Sequence, residues 1–224
     1  MPRPKIVRET RHEPQEREPP ARSKLRPHPW CSEESIELFG AALGGEPPFP
    51  IYVSDIAEAK IREHAVKEAP RRLEVLGFLL GEVSTWKHSI YVTCRDVVTT
   101  RLRSTSSKVK FNPDAFPNLF LQLDDSGFDY ILVGWYHSHP GHTCFLSRTD
   151  LETQRSMFDQ PYHTALVIDP VNQDIKAFRL SSGAPGYEEI PFALYPTEPP
   201  ASGRRTRRLK VKPDSQAPPP SSAN

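Results

Sequence analysis

Two histidines, a serine and an aspartate crowd into VGWYHSHPGHTCFLSRTD, the stretch from Val133 to Asp150. His137 and His139 stand two apart at the end of an apolar run. Side chains at i and i+2 share one face of a β-strand, so a strand ending here sets both imidazoles side by side, where they can grip one ion. An H-x-H pair alone is a weak signal. Ser147 and Asp150 have the S-x-x-D spacing of a capping box, which explains both as the start of a helix without any chemistry. The two roles are compatible, because a carboxylate in a first helical turn is held rigidly, as a ligand must be. Two imidazoles and one carboxylate make a three-ligand set for a single Zn²⁺ and leave a fourth position for water, whose pKa such an ion brings towards ~7. Amide hydrolysis needs two further groups. A base must carry the water's proton to the leaving amine, and a donor must stabilise the tetrahedral oxyanion. Ser147 has a hydroxyl for the second task. Glu74 is the candidate for the first. It opens the apolar run LEVLGFLLG, where a buried carboxylate is costly without partners. The residues alone explain it equally well as a strand end facing water.

The elements that must position these groups follow from pattern. Ile51–Val53 reads as a short strand. Ser54 then caps a helix whose Ala57, Ile61 and Ala65 recur at i, i+4 and i+8, and Pro70 ends it. LEVLGFLLGEV is apolar enough to be a strand buried on both faces. SIYVTCRDVV alternates, and the two strands form a hairpin through EVSTWKH. TTRLRSTSSKVKF, from Thr99 to Phe111, reads as a loop. Asn112 and Pro113 then announce a helix. Tyr130–His139 is a third strong strand and Ser147–Asp159 a helix. HTALVIDP and DIKAFRL are closing strands that turn around Asn172. This order is neither a regular βαβ alternation nor all-β. It predicts an α/β fold with one central mixed sheet and helices packed on it, spanning residues 50–191.

Charge is divided along the chain. Residues 1–30 carry eight Lys and Arg against four Glu, and residues 201–224 carry six against Asp214 alone. That leaves 15 basic and 23 acidic residues over 31–200, a net of −8. The polar, proline-rich ends cannot bury enough apolar surface to offset ordering entropy. Residues 1–49 are expected to be mostly disordered, and 192–224 to be a disordered basic tail. The cluster from Arg204 to Lys212 reads as a solvated tail, and the acidic middle argues against a nucleic-acid surface on the fold. Cys31, Cys94 and Cys144 are odd in number and contain no CxxC pair. They form neither a disulfide framework nor a cysteine zinc site, and they fit a reducing compartment. No apolar run is long enough for a membrane span, and the N-terminus lacks the continuous apolar stretch of a signal peptide. The expectation is a cytoplasmic protein. His142 and His163 read as loop or strand-end histidines, and Cys144 as a small packing residue.

The segment HSHPGHTCFLSRTD fits H-x-H-P-x(6)-S-x-x-D. It resembles the JAMM motif of the JAB1/MPN/Mov34 metalloprotease family, of the MPN+ type. EVLGFLLG, VGWYHSHPG, LSRTDLETQ and VIDP…IKAFRL resemble that family's successive elements, in order. The resemblance implies a fold akin to the cytidine-deaminase sheet, one zinc ion per chain, and cleavage of amide or isopeptide bonds, often at the C-terminus of ubiquitin-like proteins. It also implies His137, His139 and Asp150 as zinc ligands, Glu74 as the acid/base and Ser147 as support for the oxyanion. No further His or Cys set matches the second zinc of some branches. The alternative is a non-catalytic MPN-type interaction scaffold that keeps a structural metal, and Glu74 argues against it. The expected partners are a ubiquitin-like protein or its conjugate as substrate, and a further protein or a second copy of the chain.

Overall fold

The centre of the molecule is a long hairpin. β3 (Leu76–Trp86) and β4 (Ser89–Thr99) pair antiparallel from Gly77↔Thr99 to Trp86↔Ser89. Lys87 and His88 close the turn with φ of 46° and 67°, the positive values at both central positions that a two-residue hairpin loop demands. The expected hairpin is therefore present, with its strands running closer to the turn than the sequence suggests. The computed structural model describes residues 14–46, 48–99 and 130–197. The expected loop from Thr99 to Phe111, apart from Thr99 itself, the expected helix beginning at Asn112, and the basic cluster from Arg204 to Lys212 lie outside these residues.

β5 (Ile131–Ser138) pairs antiparallel with the other side of β3. β6 (Thr164–Asp169) runs parallel to β5, and β7 (Asp174–Leu180) returns antiparallel to β6. β2 (Ile51–Ser54) lies parallel to β4. The sheet is mixed, as the pattern predicts. Gly134, in β5, has φ +156°, and a Cβ placed there would collide with the Thr164 carbonyl oxygen of β6. The parallel pairing of β5 with β6 thus depends on a bare backbone at this point.

α2 (Asp55–Glu68) packs across the sheet. The Ser54 side chain accepts the Ala57 N–H at 3.0 Å and donates to the Arg95 carbonyl at 2.7 Å. Ala57, Ile61 and Ala65 are buried, as their spacing predicts. They join Val53, Val92, Leu166 and Ile168 in the main core. α3 (Arg148–Met157) lies over the other face, where Leu76, Phe78, Trp135 and Phe158 form a second core.

Two boundaries differ from the sequence reading. Ahead of Ile51, β1 (Gln15–Glu16) pairs parallel with β3, and α1 (Glu33–Gly44) starts at a Ser32 cap. Arg26 exchanges backbone hydrogen bonds with Leu194. His28 is buried, with Nε2 3.0 Å from Glu58 Oε1. Phe39 and Phe49 are buried against Tyr52 and Tyr91. Within the segment that average composition marks as disordered, described residues 14–46, 48 and 49 thus include a strand, a helix and buried rings. A few rings supply the burial, each contributing roughly 1.5–3 kcal/mol. After β8 (Tyr187–Ile190), Pro191 does not end the fold. β9 (Phe192–Tyr195) pairs parallel with β2, and all four of its residues are buried. The expected C-terminal limit at 191 therefore falls inside the sheet, because the apolar FALY strand supplies its edge. No described helix is long and apolar enough to cross a membrane.

Candidate metal centre

β5 delivers its C-terminal end to the start of β3. Leu76 pairs with His137. One step further, the Ser138 N–H donates to the Val75 carbonyl at 2.9 Å, and the Val75 N–H donates to Ser138 Oγ at 2.9 Å. These two bonds pin the chain just ahead of β3, where Glu74 lies half-buried, to the strand end that carries the histidines. On the other side, the His139 N–H donates to the Ile168 carbonyl at 3.0 Å. The loop beyond is gathered by Asp169 at the end of β6. Its Oδ1 accepts the N–H groups of Gly141 at 2.8 Å, Val171 at 2.9 Å and Asn172 at 3.2 Å. Its Oδ2 accepts the Thr143 N–H at 2.8 Å and Asn172 Nδ2 at 2.7 Å. Burial works to raise the Asp169 pKa, but these N–H groups outweigh it and hold the carboxyl below its ordinary value.

Ser147 is the N-cap of α3, and the capping box is reciprocal. The Asp150 N–H donates to Ser147 Oγ at 3.2 Å, and the Ser147 N–H donates to Asp150 Oδ2 at 2.8 Å. That bond aims Oδ2 at the strand end. It lies 3.5 Å from Nε2 of His137 and 3.5 Å from Nε2 of His139. One ligand atom from each of His137, His139 and Asp150 falls within 4.8 Å of the others, so the group is able to hold a metal ion. Both imidazoles are buried. The 3.5 Å separations are ion-pair distances rather than well-formed hydrogen bonds. Both ring nitrogens of His137 are buried without a hydrogen-bond partner among the described residues. Buried polar atoms are nearly always satisfied, and a cation held between two imidazoles and a carboxylate would satisfy one of the two. His139 Nδ1 lies 3.3 Å from the Thr143 carbonyl. An N–H there leaves Nε2 as the free donor atom, the arrangement usual for a metal-binding imidazole.

Electrostatics agree with the grouping. Burial would raise the Asp150 pKa, but the two imidazoles and Ser147 hold it far below the usual carboxylate range. Complete burial lowers the His137 pKa. Burial opposes protonation of His139 as well, but Asp150 and Glu74 prevail and raise its pKa. Burial raises the Glu74 pKa, with Asp150 adding to the rise and His139 opposing it. Glu74 is therefore within electrostatic reach of the cluster.

The family model described as "JAB1/Mov34/MPN/PAD-1 ubiquitin protease" matches residues 50–160. The chain belongs to this JAB1/MPN family. The Saccharomyces cerevisiae "Ubiquitin carboxyl-terminal hydrolase RPN11" is 37% identical over 139 residues, covering 58% of this chain and 43% of the relative. The Dictyostelium discoideum "26S proteasome non-ATPase regulatory subunit 14" is 37% identical over 164 residues, covering 68% and 52%. The Candida albicans "COP9 signalosome complex subunit 5" is 31% identical over 207 residues, covering 88% and 29%. The chain spans about half, or less, of the length of each of these relatives.

In this JAB1/MPN member the structure gathers all five residues singled out by sequence at one end of the sheet. Three of them, His137, His139 and Asp150, converge directly. Ser147 adjoins Asp150 through the cap, and Glu74, two residues ahead of β3, lies within electrostatic reach of His139 and Asp150. His142 is exposed on the loop. His163 is buried elsewhere, accepting the Gln160 N–H at 3.2 Å, and burial lowers its pKa to about 4. Cys144 is a buried packing residue whose thiol donates to the Val167 carbonyl at 3.3 Å. Sequence reasoning missed Asp169, Ser138, Trp135 and Gln154. Asp169 had a legible signal, an aspartate directly after the apolar run ALVI. Trp135 had another, since it lies two residues before His137 and so on its face of the strand.

Proposed function

We propose that the chain is a zinc-dependent isopeptidase or peptidase that hydrolyses amide bonds after the C-terminal tail of a ubiquitin-like protein, in deconjugation or precursor processing. The observation that carries this reading is the convergence of His137, His139 and Asp150 around the unpartnered ring nitrogens of His137. Two nitrogens and one carboxylate oxygen are the donor set of a catalytic Zn²⁺ site with an open position. When bound, Zn²⁺ supplies Lewis acidity and makes a hydroxide nucleophile available near neutral pH.

The chain's own residues account for the proton traffic. Burial raises the Glu74 pKa above its ordinary value, and a carboxylate is a group that can both take and return a proton. Its task is to accept the proton of the attacking water and deliver it to the leaving amine. Ser147 Oγ accepts the Asp150 N–H, so its own O–H is left to donate to the oxyanion. Asp169 fixes the loop that follows His139, and the Ser138–Val75 bonds fix Glu74 relative to the histidines. Protein partners and a reducing, cytoplasmic setting are part of the same proposal, the latter supported by the free cysteines among the described residues.

The test joins metal analysis to turnover of a ubiquitin-like fusion. Purified protein should hold about one Zn²⁺ per chain. Glu74→Gln should keep that zinc while cleavage falls by about 10²–10⁴-fold. Zinc retained with unchanged turnover in Glu74→Gln removes Glu74 as the base. Zinc bound by a wild-type protein that cleaves no ubiquitin-like conjugate or precursor favours the scaffold reading instead.

A further inference from the structure

His137 differs from its neighbour in what orients it. Metal-binding histidines generally donate their second ring N–H to a protein acceptor, which fixes the tautomer and the ring plane. His139 has the Thr143 carbonyl in that place. His137 has no such acceptor among the described residues. Its plane is set by stacking. Trp135 occupies the preceding position on the same face of β5, and the two rings lie 4.3 Å apart at an interplanar angle of 15°. Trp135 also stacks on Phe158, at 5.7 Å and 12°.

The indole is held in turn. Trp135 Nε1 donates to Gln154 Oε1 at 2.6 Å, and Gln154 Nε2 donates to the Phe158 carbonyl at 3.0 Å. Gln154 has no exposed surface. It sits one turn after Asp150 on α3 and so on the same side of the helix. The helix whose first turn aims the carboxylate therefore also anchors, one turn later, the ring against which an imidazole lies.

We propose that Trp135 and Gln154 are positioning residues, holding the His137 imidazole in the plane that a metal ion at this site requires and replacing the hydrogen-bond acceptor usual for such a histidine. The proposal rests on the metal site described under Proposed function. An aromatic face restricts the ring to a plane while neither donating to nor accepting from its nitrogens, so both stay available.

The test measures Zn²⁺ affinity by chelator competition and the visible spectrum of the Co²⁺-loaded protein, with far-ultraviolet circular dichroism to confirm folding. Trp135→Leu should weaken Zn²⁺ binding by about 10–100-fold, the range seen when a ligand's supporting partner is lost, and should alter the Co²⁺ bands. Trp135→Phe keeps a ring face and should recover most of that loss. Gln154→Met frees the indole and should cost about tenfold. Tyr136→Phe is the control: its hydroxyl faces His64 at 2.8 Å from the opposite side of the strand, so its affinity should match wild type. A folded Trp135→Leu or Gln154→Met protein with wild-type affinity and an unchanged Co²⁺ spectrum overturns the proposal. Where Trp135→Leu does not fold, Gln154→Met decides. Wild-type protein that takes up neither ion removes the metal reading itself, an outcome visible before any variant is compared.

Discussion

Replacing Asp169 tests how the loop after the histidines is held. The carboxylate accepts five hydrogen bonds, three at Oδ1 and two at Oδ2, and has no exposed surface. Bonds to a charged group contribute ~1.5–3 kcal/mol each. The donors Gly141, Thr143, Val171 and Asn172 lie on exposed loop positions, where water can replace much of what is lost. Asp169→Ala should therefore cost about 3–5 kcal/mol, well under the simple sum. Asp169→Asn should cost roughly half of that. An amide oxygen can serve the three Oδ1 donors, while the amide nitrogen meets the Thr143 N–H donor to donor. The assay is urea unfolding of wild type and both variants, with native-state hydrogen exchange at the Gly141 and Thr143 amides. The pH dependence has a fixed sign. The folded pKa of Asp169 lies below its unfolded value of ~3.9, so its contribution is complete above that value and disappears as pH falls through the folded one. The gap between wild type and Asp169→Ala should close in acid. An Asp169→Ala protein with wild-type stability at pH 7, and with undiminished protection of Gly141 and Thr143, refutes the reasoning.

Gly134→Ala should destabilise by about 3 kcal/mol or more in thermal unfolding, because the new methyl meets the Thr164 carbonyl across the parallel pair. A chain trimmed to residues 14–197 should unfold cooperatively, whereas 50–191 should not, since it lacks His28, Phe39, Phe49 and all of β9; calorimetry of the two separates the outcomes. Glu58→Gln should lower the melting temperature at pH 7. Burial opposes ionisation of Glu58, but His28 and Arg62 outweigh it and bring its pKa down to about 2. Its contribution is therefore whole above ~4.3 and is lost as pH falls through about 2, so the difference from wild type should shrink over that interval.

The group of His137, His139 and Asp150, which could hold a metal ion, was legible because its chemistry and its local structure share one stretch. H-x-H at a strand end and S-x-x-D at a helix start each fix a geometry by short-range rules, and the short loop between them only had to bring the two together. The α2 face was legible for the same reason, as the periodicity of Ala57, Ile61 and Ala65, and the hairpin as two β-rich runs, although burial in β4 does not alternate: Tyr91 to Cys94 are all buried and Ile90 is exposed. What escaped depends on distant partners. Nothing near Trp135 in the chain announces Gln154 as its acceptor, and Asp169 gathers donors from two loops that meet only in the folded protein. Composition misled at both ends. Averaging over residues 1–49 hides the rings of His28, Phe39 and Phe49, and the prolines around FALY read as breakers. They flank β9, where a residue without an N–H is tolerated at the limits of a strand.

The convergent side chains His137, His139 and Asp150 all come from one short run of chain, closed by a loop rather than by the whole sheet. The entropy of closing a loop rises only slowly with its length and is small for a short one. A chain that has not yet assembled its sheet can therefore bring these donors together at modest cost. Any ion that it grips stabilises each state in proportion to the binding there. Glu74 has no such shortcut, because it reaches the cluster only when β3 docks on β5. The three donors are thus brought together by contacts of short range, whereas the approach of Glu74 depends on the pairing of β3 with β5.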